Sequence, residues 1–215
     1  MKNLAKKIAM FNNVDIYPVI SSEFTCNRNV IDVLQQIAAG GAKIVQLREK
    51  NLTKTAIYQL AVEYRKITAA NNMLLIINDH LDIALSVKAD GVHLGQDDLP
   101  LKAARELTDQ LILGSSTHNL AEAKQAIADG ADYINIGPIY STQTKQLSYE
   151  SLGLETLRQI STQINIPFSV MGGIKEDHLD QLIKFGATHI AMVTEITQST
   201  NITSRVKQLR SHWGK

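Results

Sequence analysis

The chain has 215 residues, 44% of them apolar, and its 22 basic and 21 acidic side chains leave a formal charge of +1. That length supports one large domain with a substantial core, and the balanced, well-mixed charge excludes a basic nucleic-acid footprint. The single cysteine, Cys26, excludes an intramolecular disulfide and fits a reducing compartment, and no apolar run approaches the length of a membrane span.

Residues 1–13 read as a short N-terminal extension, a helix covering one end of the fold. Its apolar part, Ile8–Phe11, is too short for a signal peptide, so a cytoplasmic protein is expected. Residues 14–215 read as a single compact domain in which short apolar runs alternate with helical segments. The runs are Ile16–Ile20, Ile44–Leu47, Leu74–Ile77, Val92–Leu94, Leu111–Leu113, Tyr133–Ile136, Phe168–Met171 and Ile190–Val193. Each is short enough to be a buried parallel strand.

Helical stripes separate them. Val30, Leu34, Ile37 and Ala38 form one. Ile57, Leu60, Ala61, Tyr64 and Ile67 form a longer one behind the expected cap Thr53. Leu81, Ala84 and Val87 mark a short helix between strands three and four, and Ile202, Val206, Leu209 and Trp213 mark the last. The basic residues near that end, Arg205, Lys207, Arg210 and Lys215, read as a solvated face. A weak repeat supports the layout: AGGAKIVQL, KADGVHLG, DGADYINIG and FGATHIAMV each read as helix end, turn, strand. Eight βα units in a chain of this length predict an α/β fold, the (β/α)8 or TIM barrel, with tight loops. A doubly wound open sheet is the runner-up, but no GxGxxG follows the first strand.

In such a barrel the chemistry gathers at the carboxyl ends of the strands. Strand three ends in Asn78-Asp79 and strand four in Gly95-Gln96-Asp97-Asp98. Asp79 and Asp98 then rise from one rim, and two carboxylates with amides beside them form an all-oxygen set that suits Mg²⁺. The plainer alternative makes both aspartates helix N-caps. Strand two ends in Gln46-Leu47-Arg48-Glu49-Lys50, whose alternation puts Gln46, Arg48 and Lys50 on one side, suited to a polyphosphate. Alternatively Arg48 and Glu49 form a structural ion pair. Strand five ends in Gly114-Ser115-Ser116-Thr117-His118, whose hydroxyls serve an anion or a helix cap.

The longest loop follows strand six, from Gly137 to about Gly153, and carries Thr142, Gln143, Thr144 and Lys145; such loops are commonly lids or clamps. Gly172-Gly173 and Val193-Thr194 end strands seven and eight, where barrels place phosphates, although a tight turn alone also explains the glycines. Two anion sites emerge: a pyrophosphate site around Arg48, Lys50, Asn78, Lys145 and a metal on Asp79 and Asp98, and a monophosphate site at Gly173 and Val193-Thr194. His93 alternates with apolar Val92 and Leu94 and reads equally as a satisfied interior histidine or a catalytic one. His80 and His118 read as loop residues.

These residues resemble the thiamine phosphate synthase (thiamine-phosphate pyrophosphorylase) family. The resemblance runs from Ile16 to Ile196. It is carried by QLREK at 46–50, IND at 77–79, GVHLGQDD at 91–98, GSSTH at 114–118, GPIYSTQTKQ at 137–146, GGI at 172–174 and AMVTEI at 191–196. It implies a transferase that joins 4-amino-2-methyl-5-hydroxymethylpyrimidine diphosphate to a (carboxylated) thiazole phosphate. The products would be thiamine phosphate and pyrophosphate, with CO₂ from the carboxylated substrate.

By motif position, the resemblance assigns Gln46, Leu47, Arg48, Glu49, Lys50, Asn78, Ser116 and Lys145 to the pyrimidine diphosphate. Of these, Arg48, Lys50, Ser116 and Lys145 would act on the leaving group. It assigns Thr142, Gln143, Thr144, Gly173, Val193 and Thr194 to the thiazole phosphate, and Asp79 and Asp98 to one Mg²⁺. Ser141 stands where the family usually has proline, Met171 where isoleucine is usual, and Thr194 where serine is common. Small molecules are the expected partners, with no nucleic acid or membrane. Apolar positions on the outer helices suit a core or a homo-oligomer interface alike. The alternatives are a thiazole tautomerase-like barrel, which needs neither the paired aspartates nor QLREK, and a non-catalytic phosphate-ligand-binding barrel.

Overall fold

The computed structural model describes residues 2–142 and 151–214, apart from the side chains of Lys2 and Asn3. Helix α1 (Lys2–Phe11) precedes β1 (Ile16–Ile20), α2 (Val30–Ala39), β2 (Ile44–Leu47) and α3 (Lys54–Ala70). Next come β3 (Leu74–Asn78), α4 (Leu81–Ser86), β4 (Gly91–Leu94), α5 (Leu101–Leu107), β5 (Ile112–Thr117), α6 (Leu120–Ala128) and β6 (Tyr133–Ile136). The chain ends with α7 (Gly153–Ser161), β7 (Phe168–Val170), α8 (Leu179–Lys184), β8 (His189–Met192), α9 (Thr194–Thr197) and α10 (Ile202–Arg210). Neighbouring strands pair in parallel throughout, and β8 pairs with β1, so the described strands close into a barrel in chain order.

Local chemistry explains the alternation. Asn29, Thr53, Asn119 and Asn201 cap α2, α3, α6 and α10, each side chain accepting from a backbone N–H of the first turn. The repeated helix-to-strand turn has a definite geometry. Gly41, Lys88, Gly130 and Gly186 take positive φ, and the alanine after each is buried. Each alanine N–H donates back into the preceding helix, at Ile37, Ala84, Ala126 and Leu182. This is the helix-ending loop that glycine favours, and Lys88 occupies it without glycine's freedom.

Two cores result. One fills the layer between the strands and the helices, with Leu34, Ile37, Leu75, Ile77, Leu113 and Ile134 among its members. The other lies inside the barrel, where Phe11, Tyr17, Ile44, Leu74, Ile76, Ile112 and Tyr133 pack together. Phe11 comes from α1, and its ring meets those of Tyr17, Tyr133 and His189. Lys7 of the same helix donates to Ala89 and Gln110 O, just before β4 and β5. Helix α1 therefore covers the amino end of the barrel and leaves the carboxyl end open. Among the described residues, no helix is long and apolar enough to cross a membrane.

Three local expectations need correction. Strand five runs from Ile112 to Thr117 rather than Leu111–Leu113, because Gly114–Thr117 pair in register with Tyr133–Ile136 of β6. After Ile112 its inward positions are Gly114 and Ser116, so its second half lacks an apolar signature. Val87 and Trp213 lie just beyond their helices, Val87 as the C-cap of α4 and Trp213 in a closing 3-10 turn, where its indole N–H donates to Thr188 O. The basic end of α10 is not simply a solvated face. Arg205 bonds Glu176 and Glu195, and Arg210 bonds Asp15.

Candidate active site

The carboxyl ends of the strands surround a cleft of about 210 Å³. Gln46, Arg48, Lys50, Asn78, Asp79, Asp98, Ser116 and Thr142 all line it, so residues from β2 to β6 and their loops meet in one place. Alternation along β2 brings Gln46, Arg48 and Lys50 to the cleft. It sends Leu47 the other way, into the outer core. Glu49 is also turned aside. It is buried, and its carboxylate accepts from the backbone N–H and the hydroxyl of Ser22 at 2.8 and 2.7 Å. That anchor ties the loop after β1 to the end of β2.

The two aspartates do not cap helices. Residues His80 and Pro100 hold the N-cap positions of α4 and α5, with no side-chain cap bond at either. Asp79 instead sits at φ 63°, with its own N–H bonded to His93 O and His80 N–H bonded back to Asn78 O, both at 2.8 Å. A non-glycine residue at the centre of such a tight turn is strained by roughly 1–3 kcal/mol, and strain of this kind collects at functional sites. The turn projects the Asp79 carboxylate toward Lys50, whose ammonium lies 2.5 Å away. Asp98 accepts from the Gly95 N–H at 2.7 Å, which folds the loop after β4 inward. Burial first, and then the neighbouring Asp79, push the Asp98 carboxyl above its ordinary range. Two facing carboxylates in a partly buried mouth favour a shared proton or a shared cation.

That donor set fits Mg²⁺. Among the described residues, no group of three or more His, Cys, Asp and Glu forms a closed cage. Mg²⁺ needs none, because it keeps several waters and takes one or two carboxylates plus substrate phosphates.

Beside the cleft lies a second hollow, lined by Gly172, Gly173, Val193 and Thr194 and sharing Thr142 with the first. Gly172 and Gly173 both have positive φ, and a β-carbon on either would meet the loop after β6: Pro138 Cβ at 2.3 Å and Ser141 O at 2.2 Å. Glycine at these positions lets the two loops lie against each other. Gln143, Thr144 and Lys145 fall outside the described residues.

Gln96, one of the amides expected beside the aspartates, lines the cleft as well, and so do Asp97, His118, Asn135, Pro138 and Met171, to which sequence reasoning assigned no role there. Gln96 donates to Ser116 O at 2.5 Å, and His118 bonds Glu122 at 2.7 Å, its first link into α6. The alternation Tyr133-Ile134-Asn135-Ile136 was the available signal for Asn135, since the buried apolar partners lie at 134 and 136. Asn135 donates to the Ser169 hydroxyl at 2.7 Å inside the barrel. His93 lines the floor of the cleft and is buried, bonded to Tyr133 OH and to Ser116 Oγ, each at 2.9 Å.

A family model for thiamine monophosphate synthase matches residues 16–196. The thiamine-phosphate synthase of Dictyoglomus thermophilum is 41% identical over 208 residues, covering 96% of this chain and 93% of the relative. That of Pelotomaculum thermopropionicum is 42% identical over 198 residues, covering 92% and 91%. The solved thiamine phosphate pyrophosphorylase from Pyrococcus furiosus superposes with a TM-score of 0.86 at 30% identity, covering 94% of this chain and 96% of that one.

Proposed function

Because this chain belongs to the thiamine monophosphate synthase family, we propose that its cleft joins an aminopyrimidine methyl diphosphate to a thiazole phosphate, giving thiamine phosphate and pyrophosphate. The observation that carries this reading is the convergence of Arg48, Lys50, Asp79, Asp98 and Ser116 on one cleft at the open end of the barrel.

The chemistry needs little acid–base help. The diphosphate leaves a benzylic-type carbon, and the electron-rich aminopyrimidine stabilises the cation left behind. The cost lies in the charge that builds on the departing pyrophosphate. Arg48 offers a planar fork and Lys50 a point charge, and both bind those oxygens. Ser116 donates to them, and Asn78 and Gln46 hold the pyrimidine end. Lys50 is held at the mouth by Asp79, so its ammonium needs no large rearrangement to serve the leaving group. Asp79 and Asp98 are the residues that would hold Mg²⁺. When bound, that ion supplies further neutralisation of the diphosphate.

The thiazole phosphate fits the adjoining hollow, with Thr142, Gly173, Val193 and Thr194 around the phosphate. The assignment extends to Gln143 and Thr144 for the same phosphate and to Lys145 for the leaving group. The wall that the cleft and the hollow share at Thr142 supports this reading: a thiazole held in the hollow would approach the pyrimidine from next door, and positioning would contribute much of the acceleration. Leu47 and Glu49 shape the end of β2, and any contact they make with substrate is through backbone.

The test is a product assay on the purified chain with both substrates in Mg²⁺. Stoichiometric thiamine phosphate and pyrophosphate are expected, with CO₂ when the thiazole is carboxylated. Folded protein that yields neither product with either thiazole would overturn the reading.

A further inference from the structure

The barrel interior holds a line of polar side chains whose inner members, Tyr17, Tyr133 and His93, the reaction as described does not use. Gln46 Nε2 donates to Tyr17 OH at 3.0 Å, and Tyr17 OH lies 3.1 Å from Tyr133 OH. Tyr133 OH meets His93 Nδ1, and His93 Nε2 meets Ser116 Oγ, both at 2.9 Å. The five residues come from β2, β1, β6, β4 and β5. All but Ser116 are buried, and both ends of the line open on the cleft.

Counting protons gives the line a direction. The Gln46 amide nitrogen can only donate, so Tyr17 oxygen accepts there, and the arrangement that also uses the Tyr17 proton sends it to Tyr133 oxygen 3.1 Å away. Tyr133 then sends its proton to His93 Nδ1. An imidazole that accepts at Nδ1 carries its hydrogen on Nε2 and donates it to Ser116 Oγ. The Ser116 hydroxyl hydrogen is left to point into the cleft. Burial pushes both phenols above their ordinary range, so each keeps the single proton this count requires. The opposite direction would end with Ser116 donating inward to His93 and turning lone pairs toward the cleft, which an anion there disfavours.

The geometry points to a directional hydrogen-bond relay, Gln46–Tyr17–Tyr133–His93–Ser116, that presets the Ser116 hydroxyl as a donor to the leaving diphosphate. Tyr17, Tyr133 and His93 are then positioning residues, acting through Ser116. The inference rests on the reading that a diphosphate occupies the cleft beside Ser116. It costs the fold a glycine in mid-strand: a β-carbon on Gly114 would lie 2.2 Å from the Tyr133 ring, so the strand gives up a side chain to seat that phenol.

The experiment has two arms on the full chain. Nitrogen-15 NMR of the imidazoles, with Mg²⁺ and inorganic pyrophosphate as the probe, reads the His93 tautomer, which is expected to be Nε2–H. Finding Nδ1–H would overturn the direction. The second arm is a kinetic cycle of Tyr133→Phe, Ser116→Ala and the double variant. Tyr133→Phe keeps the ring that fills the space beside Gly114 and removes only the hydroxyl that links Tyr17 to His93. It is expected to lower kcat about tenfold with the KM for thiazole phosphate unchanged, and to have no further effect once Ser116 is alanine. Equal losses in both backgrounds would reduce Tyr133 to a structural residue and sink the relay. Tyr17→Phe runs the same cycle should Tyr133→Phe not fold. If the parent enzyme coupled nothing, the function would be wrong while the tautomer would still decide the relay.

Discussion

The Tyr133 ring occupies the space that a side chain on Gly114 would fill, at 2.2 Å from the position of the missing β-carbon. The two residues are paired across β5 and β6, so neither can shift without breaking strand register. Gly114→Ala should therefore cost stability by overpacking, about 1–3 kcal/mol, and push Tyr133 off His93. Melting temperature and coupling rate should both fall in Gly114→Ala. A variant with unchanged stability would mean that the strand has slack beside Tyr133.

Asp79 should trade stability for function. Its carboxylate sits on a turn at φ 63° that glycine adopts without strain. Asp79→Gly should hold or raise the unfolding free energy, despite losing the Lys50 contact, and should abolish metal-dependent coupling. Chemical denaturation and the product assay together check this. A clear loss of stability would show that the turn is not strained.

Lys88 holds the helix-ending position that glycine fills in the three sister turns, with φ 53°. Lys88→Gly should stabilise the fold by about 0.5–1 kcal/mol without touching activity, since the turn lies at the amino end of β4. A denaturant midpoint at or below that of the parent would contradict it.

His189 links stability to pH. Burial first of all lowers its pKa below the ordinary imidazole value, and its Nδ1–H donates to Val14 O at 2.7 Å under the Phe11 ring. A depressed histidine pKa means that the unfolded chain binds the proton more readily. Stability should be complete above about pH 6.5 and fall as pH drops through that value toward the lower folded pKa. His189→Asn should flatten the slope of melting temperature between pH 7 and 5.5. An unchanged slope would assign the acid sensitivity elsewhere.

How much of this was legible in the sequence depended on whether a feature was local. Strands one, two and six were readable to their boundaries, because their residues are buried on both faces and mostly apolar, as in buried parallel strands. The second half of strand five was not, because its inward residues after Ile112 are Gly114, kept small by a tyrosine from the next strand, and Ser116. Alternation along β2 was enough to bring Gln46, Arg48 and Lys50 to one cleft. It was equally available to turn Leu47 and Glu49 away, but the motif as a block obscured it. The N-cap alternative for Asp79 and Asp98 could be tested only by the turn geometry. The contacts of Tyr17, Tyr133 and His93 depend on the register around the closed barrel, which no single-sequence pattern carries. The ion pairs of Arg205 and Arg210, which join α10 to residues far earlier in the chain, were hidden for the same reason.

The most direct test of the account is the rate of coupling by the parent chain and by Asp98→Ala, measured across a Mg²⁺ titration and in EDTA. The account predicts that the parent turns over only with the metal, while folded Asp98→Ala stays near the EDTA rate or requires far more Mg²⁺. Equal rates for the two proteins at every Mg²⁺ concentration would contradict it, and would remove the paired aspartates from the chemistry of the cleft.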